Sequence, residues 1–323
     1  MKCDSKDIMK RLHGIGIIPA VVLERAEDAV LLADALCKGG LPAAEIAFND
    51  PAAHDAMIAM KKQRPELIIG AGDVLTKEQV DSAMDAGADF IASSGMNREI
   101  VEYCQEKGAA VCPGISTASE LEQALALGLH TVKFFPAEAM GGIETIKALC
   151  NQYKNVAFLP VGGINASNML DYLALPQIAA VGGSWMVDPD LIRNSQFDQI
   201  EKVSKDAVLK MLGMHVKHIG VNCTESDGRE TADKFANLLQ GSVRETAVGY
   251  FGSEMIEIMV KEHFGTKGHI AIGVNSVERA LTYYRAVGIA FDEESITYDD
   301  AGDAKFAYFK EEIGGFKIHL VNN

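Results

Sequence analysis

The stretch TVKFFPAEAMGGIETIKALCNQYKNVAFLPVGGIN, residues 131–165, passes from a short apolar, β-branched run through a segment of helical periodicity into a second apolar run. Strand, helix and strand in that order predict two parallel strands joined by a crossover helix. The same beat continues in both directions. Further strand-like runs are IIPAVVL around 18–23, AAEIAFN (43–49), LIIGAGDV (67–74), FIASSG (90–95), AAVCPGIS (109–116) and AAVGGSW (179–185). With TVKFFPA and AFLPVGGI they make eight, separated by helix-like segments such as ERAEDAVLLADALCKG and STASELEQALALG. Eight such beats predict an α/β fold, a (β/α)8 TIM barrel of near-minimal size, over residues 1–212.

Composition narrows the partners. The chain has 323 residues, 48% of them hydrophobic and 23% charged, enough to bury a sizeable core. Its formal net charge of -15 opposes nucleic acid and anionic membrane surfaces, so an anionic ligand must be held by local groups. A small molecule is therefore the expected partner, with no nucleic acid and no membrane. The six cysteines are scattered with no CxxC pair, and the N-terminal segment lacks a signal peptide's apolar core, which fits a cytoplasmic protein.

The barrel gives Lys133 a meaning. Active sites of this fold lie at the C-terminal ends of the strands, and Lys133 is in the sixth. A strand lysine ordinarily snorkels outward to water. Here its neighbours are Val132, Phe134 and Phe135, and such a wall is expected to desolvate the ammonium and lower its pKa, as an amine nucleophile requires. Glu45 interrupts the second strand, where an unpaired carboxylate would be costly; it is the candidate proton-transfer group, meeting either Lys133 or another polar partner. Two glycine pairs, Gly162–Gly163 and Gly182–Gly183 with Ser184 beyond, end the seventh and eighth strands. They are ordinary tight turns or, at the strands where barrels commonly hold phosphate, an anion site built of backbone N–H groups.

After residue 212 the rhythm changes. HIGVNCTESDGRETADKFANLL and HIAIGVNSVERALTYYRAVG each open on a strand histidine and run into an amphipathic helix, with His218 and His269 separated by 51 residues. Each module later ends in a strand carrying a polar residue, Glu257 in EMIEIMV and His319 in FKIHLV. Residues 213–323 thus read as a small α+β domain of two similar modules, each a strand and a helix followed by several strands. Strand histidines often serve only as hydrogen-bonding groups in a packed sheet, but these four residues are all able to bind a divalent metal.

The first part resembles the 2-keto-3-deoxy-6-phosphogluconate and 4-hydroxy-2-oxoglutarate aldolases, class I enzymes, through EIAFN, GAGDVLT, CPGISTASEL, KFFPAEAMGG, LPVGGIN and YLALPQIAAVGGSWMV in order. The resemblance implies that Lys133 forms a Schiff base with pyruvate, that Glu45 is the acid/base, and that Gly162, Gly163, Gly183 and Ser184 bind substrate phosphate. Asn49, Asp73, Phe135 and Val161 fall at the remaining substrate positions. It further implies a homotrimer, a 2-oxo acid substrate and no cofactor. Asn49 stands where the gluconate-type enzymes have arginine, Asp73 and Val161 where they have threonine, and Ser94 where they have proline. Asn and Val at two of these positions are seen in the 2-keto-3-deoxy-6-phosphogalactonate aldolases, which keeps that substrate open.

Residues 214–323 resemble the vicinal oxygen chelate superfamily, which includes glyoxalase I. That resemblance implies paired βαβββ modules, with His218, Glu257, His269 and His319 as ligands of a divalent metal such as Zn, Ni, Mn or Fe. A barrel disabled by its substitutions, with activity moved to a metal-dependent C-terminal lyase or isomerase, is the alternative expectation. A sensor of sugar acids is a third.

Overall fold

Short runs of buried aliphatic and small residues form the strands β1 (Ile17–Val21), β2 (Ala43–Ala47), β3 (Ile68–Gly72), β4 (Phe90–Ala92), β5 (Ala110–Cys112), β6 (Gly114–Ile115), β7 (Thr131–Phe134), β8 (Ala157–Pro160) and β9 (Val181–Gly183). They belong to the first of two units, Met1–Met211 and Leu212–Asn323, of a computed structural model that describes residues 5–49, 51–261 and 264–323. All pairings in the first unit are parallel, in the order β5-β4-β3-β2-β1-β9 and β6-β7-β8, with a bridge from Val161 to Gly182 joining β8 to β9. β5 and β6 are two parts of one stave, interrupted at Pro113, which has no N–H to give the ladder. Eight staves therefore follow one another in chain order around the barrel. Several strands are shorter than their sequence runs: the fourth ends at Ala92, and Ser93, Ser94 and Gly95 turn into the loop.

Helices return the chain between staves and bury one stripe each. Ala29, Leu32, Ala33 and Leu36 do so in Ala29–Lys38, at the spacing of one helical face. Thr76 and Thr117 start two of the helices with complete capping boxes to Gln79 and Glu120. Inside the barrel, space is set by glycine. Gly70 pairs in register with Glu45 on one side and Phe90 on the other, and a side chain there would overlap the Phe90 ring.

The second unit is one eight-stranded sheet: β10 (His215–Asn222), β11 (Arg244–Glu245), β12 (Gly249–Ser253), β13 (Ile256–Met259), β14 (Gly268–Val274), β15 (Thr297–Tyr298), β16 (Ala304–Ile313) and β17 (Phe316–Asn322). The order β11-β12-β13-β10-β14-β17-β16-β15 is symmetric about the antiparallel β10–β14 pair. Each half carries one helix, Glu225–Leu238 or Val277–Ala286, between its first two strands. The first packs on Gly252, where an added Cβ would lie 2.8 Å from the Ala232 carbonyl. Side-chain alternation puts His218 and Gly220 on the other face, opposite Ile219 and Val221. Among the described residues no helix is long and apolar enough to cross a membrane.

Replacing Gly70 by Ala should destabilise the barrel by about 1–3 kcal/mol through overpacking against Phe90. Trp185 is the chain's one tryptophan and lies in the first unit, so its fluorescence during urea unfolding reads that unit alone. An unchanged midpoint would contradict the tight fit.

Candidate active site

Lys133 and Glu45 stand on the sixth and second staves, on opposite sides of the barrel, and reach inward to meet. Lys133 Nζ donates to Glu45 Oε1 at 2.6 Å, and the two residues are only 3% and 7% exposed. Gly72 makes this possible: a Cβ there would lie 2.6 Å from Glu45 Oε1 and 2.9 Å from its Cγ. The Lys133 ammonium also lies 5.5 Å from the centre of the Phe135 ring.

The apolar wall does not lower the Lys133 pKa as the sequence suggested. Burial does pull it down, but the charge and hydrogen bond of Glu45, with a further contribution from Asp73, outweigh this and raise it above the usual lysine value. The local apolarity holds, and Lys133 is one of the two partners expected for Glu45, 88 residues away; what the expected lowering omits is the effect of the Glu45 charge on the amine. Cys112 is buried beside the pair; burial first, then the Glu45 charge, push its thiol up to about 12, which leaves it a neutral wall residue.

Asp73 follows directly on β3 with a backbone φ of 55°, a left-handed conformation that strains a residue with a side chain. Its Oδ1 accepts a hydrogen bond from Ser94 Oγ at 2.6 Å, joining the ends of the third and fourth staves. Asn49, beyond β2, is exposed, and Val161, beyond β8, is buried at 8%. The ladder continues past the strand ends through Phe48 N–H to Gly72 O and Val74 N–H to Ala92 O, so these loops are anchored at the same end of the barrel.

On the opposite side of the same rim, Gly162 and Gly163 both have positive φ, 102° and 82°. Their carbonyls are pinned. Gly162 O accepts from Glu138 N–H at 3.0 Å, and Gly163 O accepts from Asn165 Nδ2 and Asn168 Nδ2, each at 3.2 Å. In a trans peptide the N–H points opposite to the preceding C=O, so the Gly163 and Ile164 amides are turned away from those donors. Gly163 must lack a side chain, because a Cβ would lie 2.5 Å from Glu138 Cγ; the Glu138 carboxylate is itself held by the Tyr172 hydroxyl. Gly183 packs close to the Ile164 carbonyl, and Ser184 is exposed beside it. The sequence pointed to the glycines but not to Glu138, Asn165, Asn168 and Tyr172. The asparagines just after GGI were the available signal, since Asn side chains fix turns.

The second unit gathers its four polar strand residues at one point. His218 Nε2 lies 3.0 Å from His269 Nε2 and 3.4 Å from Glu257 Oε2, and His269 Nε2 lies 3.2 Å from Glu257 Oε2. Each of the three histidines offers a ring nitrogen within 4.8 Å of the others. Gly220 faces His269 in register and leaves room for its ring. Burial, then the neighbouring imidazoles, depress His319 to about 3, and burial lowers His218, so both are neutral donors at neutral pH. Phe251, Phe264, Phe306 and Tyr308 surround the cluster with ring contacts.

A divalent cation fits this set. Ligand atoms 2.0–2.1 Å from a tetrahedral ion are separated by about 3.3 Å, close to the distances among His218, His269 and Glu257. Two imidazole Nε2 atoms in contact need either a shared proton or a cation between them. The buried Nδ1 atoms of His269 and His319 have no hydrogen-bond partner among the described residues.

Comparison with known proteins bears on the first unit. The family described as KDPG and KHG aldolase matches residues 8–203. The 2-dehydro-3-deoxy-phosphogluconate aldolase of Haemophilus influenzae is 42% identical over 208 residues, 64% of this chain and 98% of that protein. The KHG/KDPG aldolase of Escherichia coli is 39% identical over 192 residues, 59% of this chain and 90% of that protein. Among solved structures, the KDPG aldolase of Legionella pneumophila, with pyruvate captured as a covalent carbinolamine, is 36% identical with a TM-score of 0.61. It covers 64% of this chain and 99% of its own.

Removing the Glu45 charge should leave burial opposed at Lys133 only by smaller contributions such as that of Asp73, so in Glu45→Gln the Lys133 pKa should fall. The pH profile of reductive methylation by formaldehyde, read at Lys133 by peptide mapping, measures it; an unchanged profile would mean that the pair does not control the amine.

Proposed function

Since the chain belongs to the KDPG and KHG aldolase family, we propose that it is a Schiff-base lyase cleaving a 4-hydroxy-2-oxo acid to pyruvate and an aldehyde. The substrate is 2-keto-3-deoxy-6-phosphogluconate or 4-hydroxy-2-oxoglutarate, and the aldehyde is glyceraldehyde 3-phosphate or glyoxylate. The galactonate isomer stands beside the first on the strength of Asn49 and Val161. The observation that carries the reading is the buried 2.6 Å pair of Lys133 and Glu45.

The pair supplies both a nucleophile and a place for its proton. Transfer from Nζ to the Glu45 carboxylate frees the amine, which adds to the C2 carbonyl. Glu45 then returns the proton as the carbinolamine loses water to form the iminium ion. With that electron sink in place, the Glu45 carboxylate accepts the C4 hydroxyl proton as the C3–C4 bond breaks and the aldehyde departs, and protonated Glu45 then delivers that proton to C3 of the enamine. Hydrolysis of the iminium ion releases pyruvate and restores Lys133. The turned-out amides of Gly163 and Ile164, with Gly183 and Ser184 opposite, suit a terminal phosphate. Phe135 shields the amine from water.

Borohydride trapping with pyruvate should add a reduced pyruvyl group at Lys133, located by peptide mapping. In Lys133→Met both the adduct and cleavage should disappear while the fold persists. Cleavage retained in that variant would exclude the Schiff base.

The second unit supports a separate reading, as a metal-binding module like those of the vicinal oxygen chelate superfamily. The converging Nε2 and Oε2 atoms support it, with His218, Glu257, His269 and His319 as the ligands. A bound divalent ion there would supply Lewis acidity to an oxo or enol oxygen. Metal analysis after loading with zinc and desalting should find about one equivalent in the full-length protein and a loss of at least tenfold in His218→Ala/His269→Ala. Equal metal content in the two would refute the site.

A further inference from the structure

The barrel rim carries a third charged group that the Schiff-base chemistry does not use. Asp73 sits at the end of the third stave, tied to Ser94 at 2.6 Å in a left-handed backbone conformation, and its charge reaches Lys133. Before substrate arrives, the pocket thus holds one ammonium, Lys133, and two carboxylates, Glu45 and Asp73. The neighbouring stave ends in Asn49, a neutral side chain.

The topology separates this group from the anion-binding turn. Asp73 is on the third of eight staves and Gly162–Gly163 on the seventh, diametrically across the mouth. A substrate is tethered at C2 to Lys133. A long hydroxylated chain ending in phosphate can carry its distal charge across to the Gly163 and Ile164 amides. In a five-carbon dicarboxylic acid the second carboxylate is three bonds from the imine carbon. It stays near the Lys133 amine, on which the Asp73 charge already acts, and meets like-charge repulsion there. The C4 hydroxyl, which both substrates carry, can donate to the Asp73 carboxylate and does not discriminate between them.

We propose that Asp73, held by Ser94, is a specificity-determining residue that turns this site toward long, phosphate-terminated 4-hydroxy-2-oxo acids and against the short dicarboxylate 4-hydroxy-2-oxoglutarate. The proposal rests on the Schiff-base reading of Lys133 and narrows its substrate class.

The test runs the reaction as aldol addition on the full-length protein, with pyruvate as donor and either glyceraldehyde 3-phosphate or glyoxylate as acceptor. Donor and amine are common to both, so any change in Lys133 basicity cancels in the ratio of the two kcat/KM values. The wild type should favour glyceraldehyde 3-phosphate, and Asp73→Asn should shift the ratio toward glyoxylate by about tenfold or more. Asp73→Gly, which suits the left-handed backbone, should shift it in the same direction and guards against misfolding of the first variant. Ser94→Ala keeps the carboxylate but frees it, so the shift should be smaller. A wild type that prefers glyoxylate, or a ratio unmoved in both Asp73 variants, would overturn the assignment. Borohydride trapping with pyruvate on the same samples separates the two levels: an adduct with an unmoved ratio rejects Asp73 alone, whereas no adduct rejects the Schiff-base reading and this assignment with it.

Discussion

The buried contact between Lys133 and Glu45 is the constraint around which the first unit is arranged. Two opposite charges, each less than a tenth exposed, are tolerable only together. Removing one partner of such a pair costs about 3–5 kcal/mol, because the other is left charged in a low dielectric. The barrel accommodates the pair by keeping β3 thin. Gly70 makes way for the Phe90 ring, and Gly72 makes way for the Glu45 carboxylate. A strand that looks weak by propensity is therefore the one that lets two opposite staves touch across the interior. In the proposed Schiff-base reading, reactivity would follow from the same contact, since an acceptor for the ammonium proton is already in hydrogen-bond range.

The rim answers a different electrostatic problem. A chain with a net charge of -15 offers no general attraction to an anionic substrate, so recognition has to be local. At the seventh stave the device proposed for this is the backbone itself, whose two peptide planes are fixed by Glu138 N–H and by the Asn165 and Asn168 amides. Backbone donors hold an anion without adding a mobile cation, and they are pre-organised, so little entropy is lost on binding. Acidic Glu138 beneath this turn is not a contradiction. Its carboxylate is engaged by Tyr172, and its main-chain N–H, not its charge, aligns the turn.

The period of the βα beats, the placement of Lys133 and Glu45 on strands, and the paired glycines were all legible in the sequence, because each follows from local pattern plus one rule about where barrels put chemistry. What local pattern could not decide was partnership, since Glu45 could face Lys133 or another polar group. The aromatic wall around Lys133 suggested a lowered pKa, yet Glu45, remote in sequence, reverses the sign. Asp73 and Ser94 stood out only as departures from a motif; their hydrogen bond depends on how the ends of two neighbouring staves line up. Strand ends were overrun as well. FIASSG continues in composition past Ala92, but the chain turns into a loop from Ser93 onward. In the second unit the 51-residue repeat exposed both histidines, while their contact needed the antiparallel register of β10 on β14.

That register also explains why the second unit consists of two modules. His218 and Glu257 come from the first half, His269 and His319 from the second, and the central β10–β14 seam brings them together. The irregularity between Val216 and His218 sets the pairing of His218 with Ala271, and Gly220 opposite His269 leaves the seam open enough for both rings. Either half alone would present one histidine and one further ligand, too few to enclose a cation. The two halves are not chemically equal, since Glu257 is a carboxylate where the second half has His319. Three imidazoles and one carboxylate make a nitrogen-rich set, suited to zinc, nickel or iron more than to calcium or magnesium, which prefer oxygen ligands. The seam between the two modules thus assembles a donor set that neither possesses alone, and in the proposed metal-binding reading Glu257 and His319 would bias which ion it takes.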